Sequence, residues 1–196
     1  MYKISITGKM NTGKDTLSKI LVKEIRTQYP YPHQWASYLA FADPIKEMAR
    51  IMYPQVPKKF FLGSSKYRSE IIPGAFKDGQ PLTVRQILKD IGTQGREYQD
   101  NVWLNIFDMR FVKISGSGIV IVSDARFRNE LDHLTKKGFY TIRLYRQTNQ
   151  PTDTHISETD QDGIPDSDFD YVIHNDRGLK DLKQEVAFKI VPYLKP

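Results

Sequence analysis

The chain has 196 residues, 39% hydrophobic and 27% charged, with no cysteine and a formal net charge of +6. That length buries one good core and hardly two independent ones, and the lack of cysteine excludes disulfides and thiolate metal sites. No stretch approaches the ~18 apolar residues of a membrane span and the charged amino end lacks an apolar signal region, so a reducing cytoplasm is the expected compartment. A pI near 9.3 suits an anionic partner, and the interspersion of basic with acidic residues favours small phosphorylated ligands over a polynucleotide.

In chain order, Ile4 and Ile6 mark a first strand, and Leu17, Ile20, Leu21 and Ile25 mark a helix. Between them runs Gly8-Lys9-Met10-Asn11-Thr12-Gly13-Lys14-Asp15-Thr16. Strand, glycine loop, lysine and helix in that spacing form a polyphosphate cradle: the glycines let several N–H groups face one anion, the helix start adds its dipole, and Lys14 reaches the β- and γ-phosphates. Asp15 stands where the pattern wants Ser or Thr. A carboxylate beside a triphosphate is repelled unless a cation lies between, which makes Asp15 a magnesium-side group and Thr16 a candidate α-phosphate donor. The plainer alternative makes Asp15 a helix cap.

A strand is expected over Ser37 to Ala42, then a helix capped by Asp43 with Pro44 at its first position and Ile45, Met48, Ala49 and Met52 on one face. Residues 58 to 82 read as loop and short helix. Thr83 starts a helix with Val84, Ile87, Leu88 and Ile91 inward. Asp100 starts another with Trp103, Ile106, Phe107 and Phe111 inward, Trp103 being read as core. The run Gly92-Thr93-Gln94-Gly95-Arg96-Glu97 between them reads as a glycine turn presenting Arg96, either as a phosphate clamp or as an ordinary interhelical loop.

Gly118 to Ser123 is an unbroken apolar run, as a central parallel strand requires, with Asp124 at its carboxyl end and Arg126 on the same rim. Asp124 stands either in the place of a carboxylate that holds magnesium through water or orients the glycine loop, or as a plain helix or turn cap. Asn129 is expected to cap the next helix and Gly138 to close it. Strands follow over Tyr140 to Tyr145 and Asp170 to His174, separated by a polar stretch from Gln147 to Ser167. A last helix places Leu179, Leu182, Val186 and Ile190 on one face. Alternating strands and helices predict a doubly wound sheet whose ligands bind at the carboxyl ends of the strands, where the Gly8 loop, Asp43 and Asp124 fall. About 75 mostly helical residues between the second and third strands imply an inserted lobe. Lys46, Arg96, Arg126, Arg128, Arg143 and Arg146 are the candidate cations for phosphates converging on such a cleft.

Five blocks in order, GKMNTGKDT, FADPIKEMA (41 to 49), RQILKDIGTQGREYQDNVW (85 to 103), VSDARFRNE (122 to 130) and HISE (155 to 158), resemble the bacteriophage deoxynucleoside monophosphate kinase family. The resemblance implies a P-loop kinase of three-layer α/β fold with a five-stranded parallel sheet, a helical substrate-binding insertion over about 44 to 117 and a lid over about 146 to 167. It implies transfer of the ATP γ-phosphoryl to a deoxynucleoside monophosphate (dNMP), with magnesium. Phe127-Arg128-Asn129 departs from the Phe-Pro-Asn expected there. Animal phosphomevalonate kinase is similar at GKMNTGKD, VSDAR and DFDYVIHND (168 to 176), while the Gly92 to Arg96 segment and HISE lean toward the nucleotide enzyme.

On this reading the nucleotide is bound by Gly8, Lys9, Asn11, Thr12, Gly13, Lys14, Asp15 and Thr16, and the metal by Asp15 and Asp124. The acceptor is bound by Asp43, Lys46, Arg96, Arg126, His155, Ser157 and Glu158. Lys14, Asp15, Arg96, Asp124, Arg126 and Arg146 carry the transfer. The expected partners are the small molecules dNMP and ATP, with no stable nucleic acid and no membrane; a homodimer is compatible with the reading, and the host cytoplasm is the compartment if the source is viral. A basic ATP-binding module on nucleic acid is the alternative of another class, and the sequence offers it no basic tail or base-stacking array.

Overall fold

The computed structural model describes residues 1–29, 35–63, 65–114, 116, 118–147 and 160–196. In chain order the elements are β1 (Tyr2–Thr7), α1 (Lys14–Gln28), β2 (Ala36–Leu39), α2 (Ala42–Met52), α3 (Lys59–Leu62), β3 (Ile71–Lys77), β4 (Gln80–Thr83), α4 (Val84–Tyr98), α5 (Val102–Lys113), β5 (Ile119–Val122), α6 (Arg128–Lys136), β6 (Tyr140–Tyr145), β7 (Tyr171–His174) and α7 (Leu179–Glu185). They divide into two compact units, Met1–Ala40 with Arg110–Pro196, and Phe41–Met109.

The first unit is a five-stranded sheet in the order β2-β5-β1-β6-β7, every pairing parallel. This is the α/β architecture with a five-stranded parallel sheet that the resemblance implies. One face is apolar: Ile4, Ile6, Ile119, Ile121, Ile142, Leu144 and Ile173 pack under Leu17, Leu21 and Ile25 of α1 and under Leu182, Val186 and Ile190 at the chain's end. Leu17, Leu21 and Ile25 stand at i, i+4 and i+8. Each buried side chain contributes about 1.5–3 kcal/mol, so α1 is held by packing more than by propensity. Leu179, expected on the inward face of α7, is 53% exposed because it sits at the first helical position, ahead of the packed turns.

Alternation along the same strands puts Ser5, Thr7, Val120, Val122, Thr141 and Arg143 on the other face. Ser5 and Thr7 are buried there, and neither hydroxyl has a hydrogen-bond partner among the described residues. Thr141 is paired: its hydroxyl donates to Asp170 at 2.9 Å.

The second unit packs α2, α4 and α5 around Ile45, Ala49, Phe61, Ile72, Ile87, Ile91 and Trp103. Thr83 caps α4 as expected, its hydroxyl accepting from the Gln86 N–H while Gln86 Oε1 accepts from the Thr83 N–H. Other expectations fail here and in the first unit. Asp43 does not cap α2, which begins at Ala42, a residue earlier, with Phe41 already helical. Residues 58 to 82 include an antiparallel hairpin, β3 with β4, turned at Asp78 and Gly79 with φ of 51° and 75°. Asn129 does not cap α6 but lies inside it. Gly138, with φ 74°, ends that helix as expected.

Candidate functional site

The loop that joins β1 to α1 is built on two left-handed residues, Asn11 (φ 64°) and Gly13 (φ 103°), and on one close approach. A Cβ added to Gly8 would stand 2.5 Å from the Leu144 carbonyl oxygen, so only glycine fits against β6. Gly13 occupies the N-cap of α1, a 15-residue helix with no side-chain cap among the described residues, and the first N–H groups of a helix are the ones an anion can accept from. Lys14 curls over the loop, its ammonium donating to the Gly8 and Lys9 carbonyls at 2.6 Å each. The Thr12 hydroxyl also donates to the Lys9 carbonyl, at 2.9 Å. Asp15 and Thr16 are exposed on the first turn. Loop amides, the start of a helix and an ammonium are thus brought to one loop, an arrangement that can hold an anion.

Three residues that sequence reasoning left out brace this loop and its rim. Asn175, just past β7, donates from its side-chain amide to the Thr12 carbonyl at 2.9 Å. Asp162 pairs with Lys9 at 2.9 Å, an exposed contact worth at most about 1 kcal/mol. Buried Glu130 accepts from the Arg126 N–H at 2.8 Å and the Phe127 N–H at 3.3 Å, fixing the turn that carries Arg126. Asn175 could have been suspected because a polar residue one step past a parallel strand sits on the ligand-binding edge.

Asp124 is partly exposed two residues past Val122, and Val122 pairs with Ser5. It therefore leaves the sheet beside the strand from which the phosphate loop departs. Arg143 and Arg128 are engaged elsewhere. The buried Arg143 guanidinium donates to the carbonyls of Ile164 and of Gln161 (2.7 Å) and lies 3.2 Å from Asp166, between the rings of Tyr145 and Phe169. Arg128 pairs with Asp132 and Asp168. Both tie down residues 160–168. Arg146 is exposed just past β6, while His155, Ser157 and Glu158 lie outside the described residues.

In the second unit the glycine turn expected at Gly92 to Glu97 is absent, because α4 runs unbroken through it. The glycines serve packing: a Cβ on Gly95 would fall 2.3 Å from the Trp103 ring. The Gly92 carbonyl accepts both the Trp103 indole N–H at 3.0 Å and the Arg96 guanidinium at 3.1 Å. Lys46 pairs with Asp43 at 2.9 Å.

Among the described residues no group of three or more His, Asp or Glu side chains could enclose a metal. Magnesium bound with substrate phosphates needs only one or two carboxylates, its other positions being phosphate oxygens and water, so Asp15 and Asp124 are a fitting donor set. Among the described residues, too, no helix is long and apolar enough to cross a membrane.

A family model described as deoxynucleotide monophosphate kinase matches residues 61–186. The chain belongs to the deoxynucleotide monophosphate kinase family. It is a kinase that transfers phosphoryl groups to nucleotide monophosphates, and the family implies ATP and magnesium. The "Putative deoxynucleotide monophosphate kinase" of Acanthamoeba polyphaga mimivirus is 24% identical over 198 residues, spanning 95% of this chain and 94% of the viral one. The deoxynucleotide monophosphate kinase of Enterobacteria phage T4 is 30% identical over 108 residues, 53% of this chain and 44% of the phage protein. That of Escherichia phage RB69 is 26% identical over the same length, 53% and 43%. The match thus spans nearly all of the mimivirus protein and less than half of each phage protein. Membership in this family separates the two resemblances in favour of the nucleotide enzyme.

Proposed function

We propose that this kinase moves the γ-phosphoryl of ATP to a dNMP, giving the diphosphate and ADP. The conformation of the Gly8 to Lys14 loop carries the reading. Phosphoryl transfer needs charge neutralisation and in-line positioning more than covalent help, and the acceptor phosphate is already anionic, so no general base is demanded. Lys14 and the loop amides hold the β- and γ-phosphates, and Thr16 meets the α-phosphate. Asp15 and Asp124 are the residues that would hold magnesium, which when bound would offset charge on the moving group. The unit Phe41–Met109, overlapping the insertion expected over about 44 to 117, serves as the acceptor lobe: the Asp43–Lys46 pair and Arg96 contact the monophosphate. Arg126 and Arg146, both on the first unit, serve as further cations for the transferring phosphoryl, and residues 148–159 of the lid expected over about 146 to 167 lie outside the described residues.

The test is a panel of monophosphates, dTMP, dGMP, GMP and phosphomevalonate among them, incubated with ATP and magnesium while ADP release is followed. Deoxynucleotides are expected to turn over. In the same assay Lys14→Ala should lower kcat by about 10²-fold or more with the fold retained, because it removes a charge that acts on the transferring group. An unchanged rate in that variant would contradict the assignment.

A further inference from the structure

Resting on the phosphate-loop reading above, we infer that Asn175 is a positioning residue for ATP: it holds the Thr12–Gly13 peptide in the orientation that presents the Gly13 N–H to the triphosphate. Gly13 has φ 103°, and a glycine in that region lets the peptide before it rotate at little steric cost. The glycine that makes the cradle sterically feasible also makes it soft, and a second interaction has to select one of its two peptide orientations.

Asn175 supplies that interaction. Its side-chain amide donates to the Thr12 carbonyl at 2.9 Å. In a planar trans peptide the carbonyl and the next N–H point in opposite directions, so anchoring the Thr12 oxygen on Asn175 turns the Gly13 N–H away from Asn175. The anchor is itself rigid. The Asn175 main-chain N–H donates to the Tyr145 carbonyl at 2.8 Å, one step beyond the β6–β7 pairing of Tyr145 with His174. Contact is close enough that a Cβ on Gly13 would meet the Asn175 amide nitrogen at 2.8 Å, so glycine and asparagine specify one another: the amide fills the space that a side chain at 13 would need.

The consequence is selective. Losing the anchor should weaken ligands that carry a polyphosphate and leave the acceptor alone. Asn175→Ala and the isosteric Asn175→Asp, whose carboxylate can only accept and so repels the Thr12 carbonyl, should each weaken ATP and inorganic tripolyphosphate by about tenfold or more in calorimetric titration. The KM for dNMP should stay within twofold. As the pH falls and the carboxyl introduced by Asn175→Asp regains a proton to donate, the tripolyphosphate affinity of that variant should move back toward that of the unsubstituted protein, whereas Asn175→Ala should show no such recovery.

ATP affinity in folded Asn175→Ala and Asn175→Asp equal to that of the unsubstituted protein would overturn the assignment. So would unfolding of both variants, which would give the side chain to the fold, or a parallel loss of dNMP binding. Failure of the unsubstituted protein to bind tripolyphosphate, or indifference of that binding to Lys14→Ala, would instead remove the phosphate-loop reading itself.

Discussion

A single methyl group on Gly8 tests the close approach on which the phosphate loop is built. In Gly8→Ala the new Cβ would lie 2.5 Å from the Leu144 carbonyl oxygen and 3.0 Å from the Thr12 hydroxyl, the first about 0.9 Å inside ordinary contact. Gly8 is not among the glycines with positive φ, so the cost is one of space alone. The obstructing oxygen cannot retreat, since Leu144 is buried in β6 and paired with Ile173 of β7. Overpacking typically costs about 1–3 kcal/mol, and a backbone obstacle in a central strand puts this case near the top, about 3 kcal/mol. At about 2–4 °C per kcal/mol for a chain of this size, Tm should fall by about 6–12 °C. Displacing loop amides by about 1 Å should also lower kcat/KM for ATP by about 10²-fold. Thermal unfolding by circular dichroism and a coupled ADP assay read the two effects. Gly163→Ala, which meets nothing within 4 Å among the described residues and has no positive φ, is the control and should stay within about 0.5 kcal/mol. A Gly8→Ala protein with Tm and kcat/KM matching those of the control would refute the geometry.

Asp15→Ser should bind ATP about fivefold more tightly than the unsubstituted protein when magnesium is chelated, because an exposed carboxylate a few ångströms from a phosphate costs about 1 kcal/mol; identical losses on chelation would count against the magnesium-side role. Burial, together with the hydrogen bond donated to Glu185 at 3.0 Å, pushes the Tyr171 phenol from 10.0 up to about 12. The folded state therefore holds that proton more tightly than the unfolded chain, and the stability it contributes is complete below pH 10 and lost as the pH rises toward 12. Urea midpoints should fall more steeply across that window in the unsubstituted protein than in Tyr171→Phe, and parallel curves would show that Tyr171 is not responsible.

The sheet was legible because a parallel strand buried on both faces has no choice of composition. Ile119–Val122 is four apolar residues, all buried, and Tyr140–Tyr145 ends where its pattern does. The glycine loop between β1 and α1 was legible because a close approach at Gly8 and a left-handed turn at Gly13 demand glycine at fixed spacing. What misled was glycine used for packing. In the interior of a helix Gly costs about 1 kcal/mol relative to Ala, which argues for a turn at Gly92 and Gly95, but contact with the Trp103 ring at Gly95 outweighs that preference. The β3–β4 hairpin was hidden by Pro73, Gly74 and Pro81, although Asp78-Gly79 is a sound turn signal. Asp43 and Asn129 were placed as caps from residue type, and each lies at the second position of the helix it was expected to precede.

The motif and its braces answer different physical demands. Glycines at 8 and 13 remove side chains that would obstruct the loop, but removing obstruction only widens the set of conformations open to the chain and selects none of them. Selection comes from contacts outside the motif: the Leu144 carbonyl that Gly8 lies against, the Asn175 amide on Thr12, and the Lys9–Asp162 pair. These partners lie on β6, past β7 and in residues 160–168, more than a hundred residues along the chain from the loop they brace. An anion held by main-chain N–H groups is bound tightly only if those groups need not reorganise when it arrives. On the proposed function, affinity for the triphosphate is set by the carboxyl ends of β6 and β7 as much as by the glycine loop, and a segment bearing the motif without those strands would be expected to bind ATP weakly.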